Sequence, residues 1–284
     1  MKIPCSVPIL TLNAKEHLKQ CLPVLVENFE DVFIVDGNST DGTQEYARSL
    51  SVRVEKQFDT NEPNQRIQDF RATRMKTWDM CRHDWLLVFD ADEVLTTELL
   101  NLIRQIVTQD NRKQVHQVRR YPKLADGRVI THTPFYSGYY VRLFARSSGV
   151  TLANRKVHER FVIPPGLETI DHEEAIICPE PEAEKLRQRS RHYIQLETES
   201  LVAKDWYHLL RWIFWYNLRS LCGQLFRVFQ AEIQNRVANR PTLPWSYNFV
   251  FLEYRWLFVF HCTRAWYKNR RAYKRGRVVS RHTS

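Results

Sequence analysis

The chain has 284 residues, 43% of them hydrophobic and 26% charged, which is enough apolar content for one large domain or a domain with an appendage. Its formal charge of +10 is unevenly placed: residues 1–184 carry 23 Lys and Arg against 27 Asp and Glu, and residues 185–284 carry 19 against 5. A mildly acidic front and a strongly basic rear imply two separate jobs. The six cysteines form no CxxC pair, which argues against a disulfide frame or a zinc site and for free buried thiols in a reducing compartment. MKIPCSVPILTLN holds one lysine, two prolines and no cleavage pattern, so it reads as a first strand rather than a signal peptide, and a cytosolic location is expected.

In chain order, Val7 to Leu12 predicts a strand, and Lys15 to Glu27 a helix with Leu18, Cys21, Leu22 and Leu25 on one face. Val32 to Val35 predicts a second strand, and Gly42 to Leu50 a helix that Asp41 can cap. Ile67, Phe70, Arg74, Trp78 and Cys81 fall at helical spacing and lead into LLVFDADE, Leu86 to Glu93, a short apolar run suited to a strand buried on both faces. A helix over Thr97 to Thr108 follows. This alternation predicts an α/β fold with a mostly parallel sheet flanked by helices, whose ligands bind beyond the strands' carboxyl ends. Asn13, Asp36 and Asp90 all stand at such ends. After Gln114 the texture changes. Asp126-Gly127 signals a hairpin, while Tyr139 to Arg146 and Val157 to Val162 read as strands of a sheet turning mixed. PPGLETIDHEEAIICPEPEAEK reads as turn-rich and acidic, closing a catalytic domain over 1–185.

LLVFDADE ends in three carboxylates within four residues, Asp90, Asp92 and Glu93, which repel one another unless a cation compensates. Asp92 and Glu93 can decorate the first turn of the next helix. Asp90, directly at the strand's end, fits that reading less well. Asp-x-Asp there offers two hard oxygen ligands to one divalent cation, Mg²⁺ or Mn²⁺, that keeps positions open for a diphosphate. In VDGNSTDGT, Ser39, Asp41 and Gly42 are ordinary turn and cap residues, whereas Asp36 is left to accept from a ligand's N–H or hydroxyls. No Walker or GxGxxG loop supports an NTPase or a dinucleotide enzyme.

SVPILTLNAKEHLKQCLPVL, DVFIVDGNSTDGTQEYA and DWLLVFDADEVLTTEL, in this order and spacing, resemble family 2 glycosyltransferases of the GT-A fold. VRLFARSSGVTLANRKVHERFV is similar to the Arg-Leu-Phe and Val-His-Glu segments of bacterial enzymes that glycosylate lipopolysaccharide core, and SRHYIQLETESLVAKDWYHLL and Arg240-Pro241 to their later motifs. The resemblance departs where Ile follows His192-Tyr193 and where no Asp-Gly follows Arg240-Pro241, which touches the acceptor rather than the donor. It implies that Asp36 binds the base or ribose with Asn13 nearby, that Asp90 faces ribose or sugar, and that Asp92 holds the metal. Arg71 falls near a basic position of the family. For inverting transfer, Glu159 is the candidate base for the acceptor hydroxyl, with His158 orienting it or completing the metal site. Asp171, Glu173 and Glu174 are its rivals.

Residues 186–284 predict helices rich in aromatic residues. Trp206 to Gln230 is interrupted by Arg211, Arg219 and Arg227, and Pro241 to Thr263 by Glu253 and Arg255, so neither suits a transmembrane span. Residues 264–281 hold eight Lys and Arg and no acid. Aromatic helices followed by cations suit an anionic membrane surface; a helical cap with a solvated tail is the plainer alternative, and nucleic acid is not expected as a partner because no nucleic-acid fold accompanies them. The expectation is therefore a metal-dependent enzyme, peripheral on the cytoplasmic face, that moves a sugar with inversion from a nucleotide-sugar donor, expected to be UDP-linked, to a lipid-linked glycan such as lipopolysaccharide core. Its rivals are an inactive membrane scaffold and a sugar-nucleotide nucleotidyltransferase, which normally needs a Gly-rich basic loop that LTLNAKEHL is not.

Overall fold

The structure is a computed structural model that describes residues 1–135, 138–153, 160–199, 207 and 209–274. The chain divides into two units, one of Met1–Pro122 with Gly138–Pro179, the other of Lys123–Ser137 with Glu180–Ser284.

The first unit alternates strands and helices: β1 (Ile3–Thr11), α1 (Lys15–Asn28), β2 (Phe29–Asp36), α2 (Thr43–Ser49), β3 (Arg53–Lys56), α3 (Phe70–Asp79), β4 (Trp85–Leu87), β5 (Val94–Leu95) and α4 (Thr97–Gln109). Then come β6 (Gln114–Lys123), β7 (Tyr139–Ala145), β8 (Thr151–Leu152), β9 (Phe161–Val162) and β10 (Glu168–Pro179). Eight strands form one sheet in the order β3-β2-β1-β4-β7-β6-β10-β5, and β8 pairs with β9 apart from it. Strands β3, β2, β1 and β4 run parallel, and β7 pairs antiparallel to β4. The expected α/β sheet, parallel in front and mixed behind, is present.

Period-2 alternation explains the apolar run before the acids. Trp85, Leu87 and Phe89 enter one core with Leu18, Leu22, Leu25 and Ile103 from α1 and α4. Leu86 and Val88 enter the other, with Trp78 of α3 and Phe144 of β7. Helices cover both faces, so every residue of the run is buried. Thr96 caps α4 by accepting from the Leu99 N–H at 3.2 Å, and Asp110 ends it at φ 50°.

One segment departs from the sequence reading. The acidic stretch after Pro165 is not turn-rich: residues 168–179 form the 12-residue strand β10. Asp171 and Glu173 lie on its exposed face, while His172, Ile176 and Cys178 alternate inward.

The second unit contains the predicted hairpin, in which the Leu124 N–H donates to the Arg128 carbonyl, Gly127 takes φ 86°, and Lys123 bridges Val129. Its helices are α5 (Ala183–Glu199), a π-helical stretch over Leu209–Trp215, α6 (Tyr216–Val237) and α7 (Trp245–Lys274). Leu124, Ile130, Leu243 and Tyr247 make its core, with Phe135 and Phe251 stacked at 4.2 Å. Arg187 and Arg191 of α5 both grip Glu253 of α7, at 2.7 and 2.8 Å. Among the described residues, no helix is long and apolar enough to cross a membrane. All six cysteines are free thiols, five of them buried and Cys222 exposed.

Candidate active site

Thr11 of β1 pairs with Asp36 of β2, and Ser6 pairs with Leu86 of β4. Continuing that second register sets Leu10 beside Asp90. Asp36, the last residue of β2, and Asp90, three residues past β4, therefore lie two strands apart, about 10 Å along the same sheet edge.

At the β1–β2 end, the Asp36 carboxylate is buried and already taken. It accepts from the Thr11 hydroxyl at 2.7 Å, the Ser39 N–H at 2.7 Å, the Ser39 hydroxyl at 2.6 Å and the Gln44 amide at 2.7 Å. Four donors fill the acceptor sites of one carboxylate. Asn13, at φ 50°, fastens the neighbouring loops: its N–H donates to Ser39, its Oδ1 accepts from the Thr40 N–H, and its amide donates to Asn64. Asp41 joins two helix starts by accepting from the N–H groups of Lys15 and Thr43. Glycine is required at 37, where a Cβ would stand 2.4 Å from the Gln65 carbonyl. Beside it lies Gln57, buried, with neither amide atom bonded to a partner among the described residues.

At the β4 end, cations supplied by the chain itself meet two of the three acids. Arg74 of α3 donates to Asp90, and Arg142 of β7 lies 3.8 Å from the same carboxylate. Glu93 is fully buried and accepts from Arg142 at 2.6 Å and from the Asp90 N–H at 2.9 Å, with Arg120 of β6 at 3.8 Å. Arg120 also donates to Cys178, and burial pushes that thiol up to about 12. Burial raises the Asp90 pKa, but Arg74, Arg142 and Arg120 outweigh it and hold the carboxyl well below its usual range. Burial dominates at Glu93 and, with Asp90 beside it, pushes the carboxyl to about 7 against the pull of Arg142. Asp92 is half-buried, and among the described residues no ion pair or hydrogen bond engages its carboxylate.

Arginines thus compensate Asp90 and Glu93, and among the described residues Asp92 has no such partner. Among the described residues no three His, Cys, Asp or Glu side chains gather into a metal cage. One free carboxylate still fits Mg²⁺ or Mn²⁺ of the kind held by one or two carboxylates plus phosphate oxygens and water.

The remaining expected residues fall elsewhere or outside view. Arg71 donates to the Leu152 carbonyl at 2.9 Å, tying α3 to β8 rather than to the Asp36 loops. His158 and Glu159 lie outside the described residues. Of the rival bases, Glu173 is gripped by Tyr139 and by Arg119 at 3.1 Å, which hold its carboxyl below the usual range. Sequence reasoning missed Arg74 as an ion partner, Arg120, Arg142, Gln57 and the buried role of Glu93. For Arg142 a signal existed: a lone arginine inside the apolar run YYVRLFA.

Residues 6–161 match the profile of Glycosyl transferase family 2. The chain is similar to a lipopolysaccharide core biosynthesis glycosyltransferase of Rhizobium meliloti (strain 1021), 27% identical over 169 residues that cover 58% of this chain and 59% of the relative. It is also similar to an uncharacterized glycosyltransferase of Rickettsia prowazekii (strain Madrid E), 30% identical over 107 residues covering 38% of this chain and 34% of that one. The chain therefore matches less than two thirds of the length of either relative. Among solved structures, a mannosyltransferase from Pyrobaculum calidifontis in complex with GDP-Man and Mn²⁺ overlays at a TM-score of 0.44 and 12% identity, over 93% of this chain and 74% of that one. The profile runs from within β1 through β8 and includes both acidic strand ends and the arginines that face them, and by that match the chain belongs to glycosyl transferase family 2.

Proposed function

We propose that the chain transfers a sugar, with inversion, from a UDP-linked donor to a hydroxyl of a lipid-linked glycan of the lipopolysaccharide core type. One observation carries the reading: Asn13, Asp36, Asp90 and Asp92 lie at or after the carboxyl ends of β1, β2 and β4, and among the described residues no ion pair or hydrogen bond engages the Asp92 carboxylate. Ligands of open α/β sheets bind at that edge. Family membership and the similarity to a lipopolysaccharide core enzyme support the substrate class.

Asp36 and Asn13 shape the nucleoside loop, and since Asp36 is filled, the Gln57 amide, without a partner among the described residues, has a donor and an acceptor to offer a base edge. Arg74 keeps Asp90 ionised and oriented, leaving its second oxygen for a hydroxyl of ribose or sugar. Asp92 would hold Mn²⁺ or Mg²⁺, with His158 as a second candidate ligand. Bound there, the cation supplies positive charge opposite the departing diphosphate. Glu159 takes the acceptor's proton in this reading, and the engagement of Glu173 by Arg119 and Tyr139 weakens that rival as a base. The basic rear brings the enzyme to the cytoplasmic face of an anionic membrane, without spanning it and without a nucleic-acid partner.

The test combines donor binding with transfer. Wild-type protein should bind a UDP-sugar in the presence of Mn²⁺ and glycosylate a core-type lipid acceptor. Glu159→Gln should bind donor equally and lose about 10²–10⁴-fold in turnover. Pyrophosphate release from UTP and a sugar phosphate, with no transfer from a UDP-sugar, would replace this reading with the nucleotidyltransferase.

A further inference from the structure

The second unit places its aromatic side chains on the outside. On α7, Trp245, Phe249, Trp256, Phe260 and Tyr267 are exposed. At about 100° per residue they share an arc of about 60° along roughly 33 Å of helix. On α6, Phe226, Phe229, Ile233 and Val237 are exposed, within an arc of about 80°. The stripes meet where the Phe229 and Trp245 rings lie 5.7 Å apart and Trp245 and Phe249 5.8 Å apart. A helix of a soluble domain turns its apolar stripe inward. A continuous apolar patch left outside marks a site of interaction.

Charge selects the occupant. By helical rotation Arg255 and Arg264 lie to either side of the α7 stripe, and Arg227 and Arg236 to either side of that on α6. Each helix holds a single acid, and both acids are neutralised within the unit: Glu253 by Arg187 and Arg191, Glu232 by Arg236. Rings flanked by guanidinium groups, with no acid to spare, match the acyl–headgroup boundary of an anionic bilayer, where aromatic side chains reside and arginines reach phosphate. A second copy packed face to face would instead set these arginines against one another.

We infer that the joined α6–α7 aromatic stripes insert into the headgroup region of an anionic bilayer and anchor the enzyme through a component that salt does not remove. The inference rests on the reading of a lipid-linked acceptor and adds to it the contact surface and its chemistry. Insertion, rather than the cationic tail alone, then sets the affinity at high salt.

The experiment is co-sedimentation of the full chain with phosphatidylcholine–phosphatidylglycerol vesicles at about 1 M salt, where the Debye length is about 3 Å. Wild-type protein should stay bound, and Trp256→Ser/Phe260→Ser should lose about tenfold or more in partition. Both side chains are exposed, so the helix and UDP-sugar binding without vesicles should be unchanged. Equal partition of the two proteins at high salt overturns the proposal. So does a wild-type dimer that the substitutions turn monomeric and that binds no vesicle. Ring-dependent insertion in a protein that binds no UDP-sugar supports this surface while overturning the transferase reading.

Discussion

Two acidic strand ends of one sheet are stabilised in opposite ways. At Asp36 the chain surrounds a carboxylate with neutral donors from Thr11, Ser39 and Gln44. At Asp90 and Glu93 it brings in arginines from α3, β6 and β7. The first arrangement fixes loops and leaves little acceptor capacity. The second stores charge in the interior and leaves one acid, Asp92, outside the network. Position at a strand end marks a residue as part of the site, but its partners decide whether it is scaffold or ligand.

The largest effect should come from breaking the charged end. Glu93→Ala removes the nearer of the two carboxylates facing buried Arg142 and leaves it Asp90 at 3.8 Å, and should cost about 3 kcal/mol in denaturant unfolding. If the loss is under about 1 kcal/mol, the ion pair does not organise this end. Asp36→Asn disturbs the neutral end less severely: its NH₂ must replace the oxygen that faces the Thr11 and Ser39 hydroxyls, which then have to turn from donating to accepting, for about 1 kcal/mol. A variant as stable as wild type would mean that the two hydroxyls turn without cost and that the Asp36 charge does not fix this end.

A buried polar pair with no charge sharpens the contrast. His116 and His172, on neighbouring strands, meet at 3.0 Å. Burial, then His172, lowers the His116 pKa to about 4, and burial lowers that of His172 as well. An unfolded imidazole takes its proton near about 6.5. Between these values the unfolded chain binds more protons than the folded one, so this contribution is complete above pH 6.5 and is lost as pH falls toward 4. Thermal unfolding of His116→Gln should therefore be flatter than wild type between about pH 7 and 5, by about 1 kcal/mol. A steeper profile in the variant would reverse the assignment.

What was legible in the sequence follows the range of the interaction. Asp36 and Asp90 could be placed because a buried strand reads as an apolar run and its end is local. Arg74, Arg120 and Arg142 could not be matched to their acids, since they approach from α3, β6 and β7 and no periodicity names a partner across a sheet. The acids themselves are local and suggest a cation, but that arginines meet Asp90 and Glu93 shows only in the fold. Strand β10 was missed because its acids suggested loop, although Asp171 and Glu173 alternate with the inward His172 and Ile176 as a half-exposed strand requires. In the rear, interrupting arginines argue against a span, and among the described residues no helix is long and apolar enough to be one; the exposed rings of α6 and α7 joining at Trp245 show only in the structure.

The central claim is that Asp92, which no ion pair or hydrogen bond engages among the described residues, holds a cation at the donor site. Calorimetry of UDP binding with and without Mn²⁺, on wild type and on Asp92→Asn, tests it most directly when each protein's melting temperature is measured alongside. The account predicts an unchanged melting temperature in the variant and UDP affinity in Mn²⁺ no better than that of wild type without metal. Undiminished Mn²⁺-dependent binding in Asp92→Asn would contradict it.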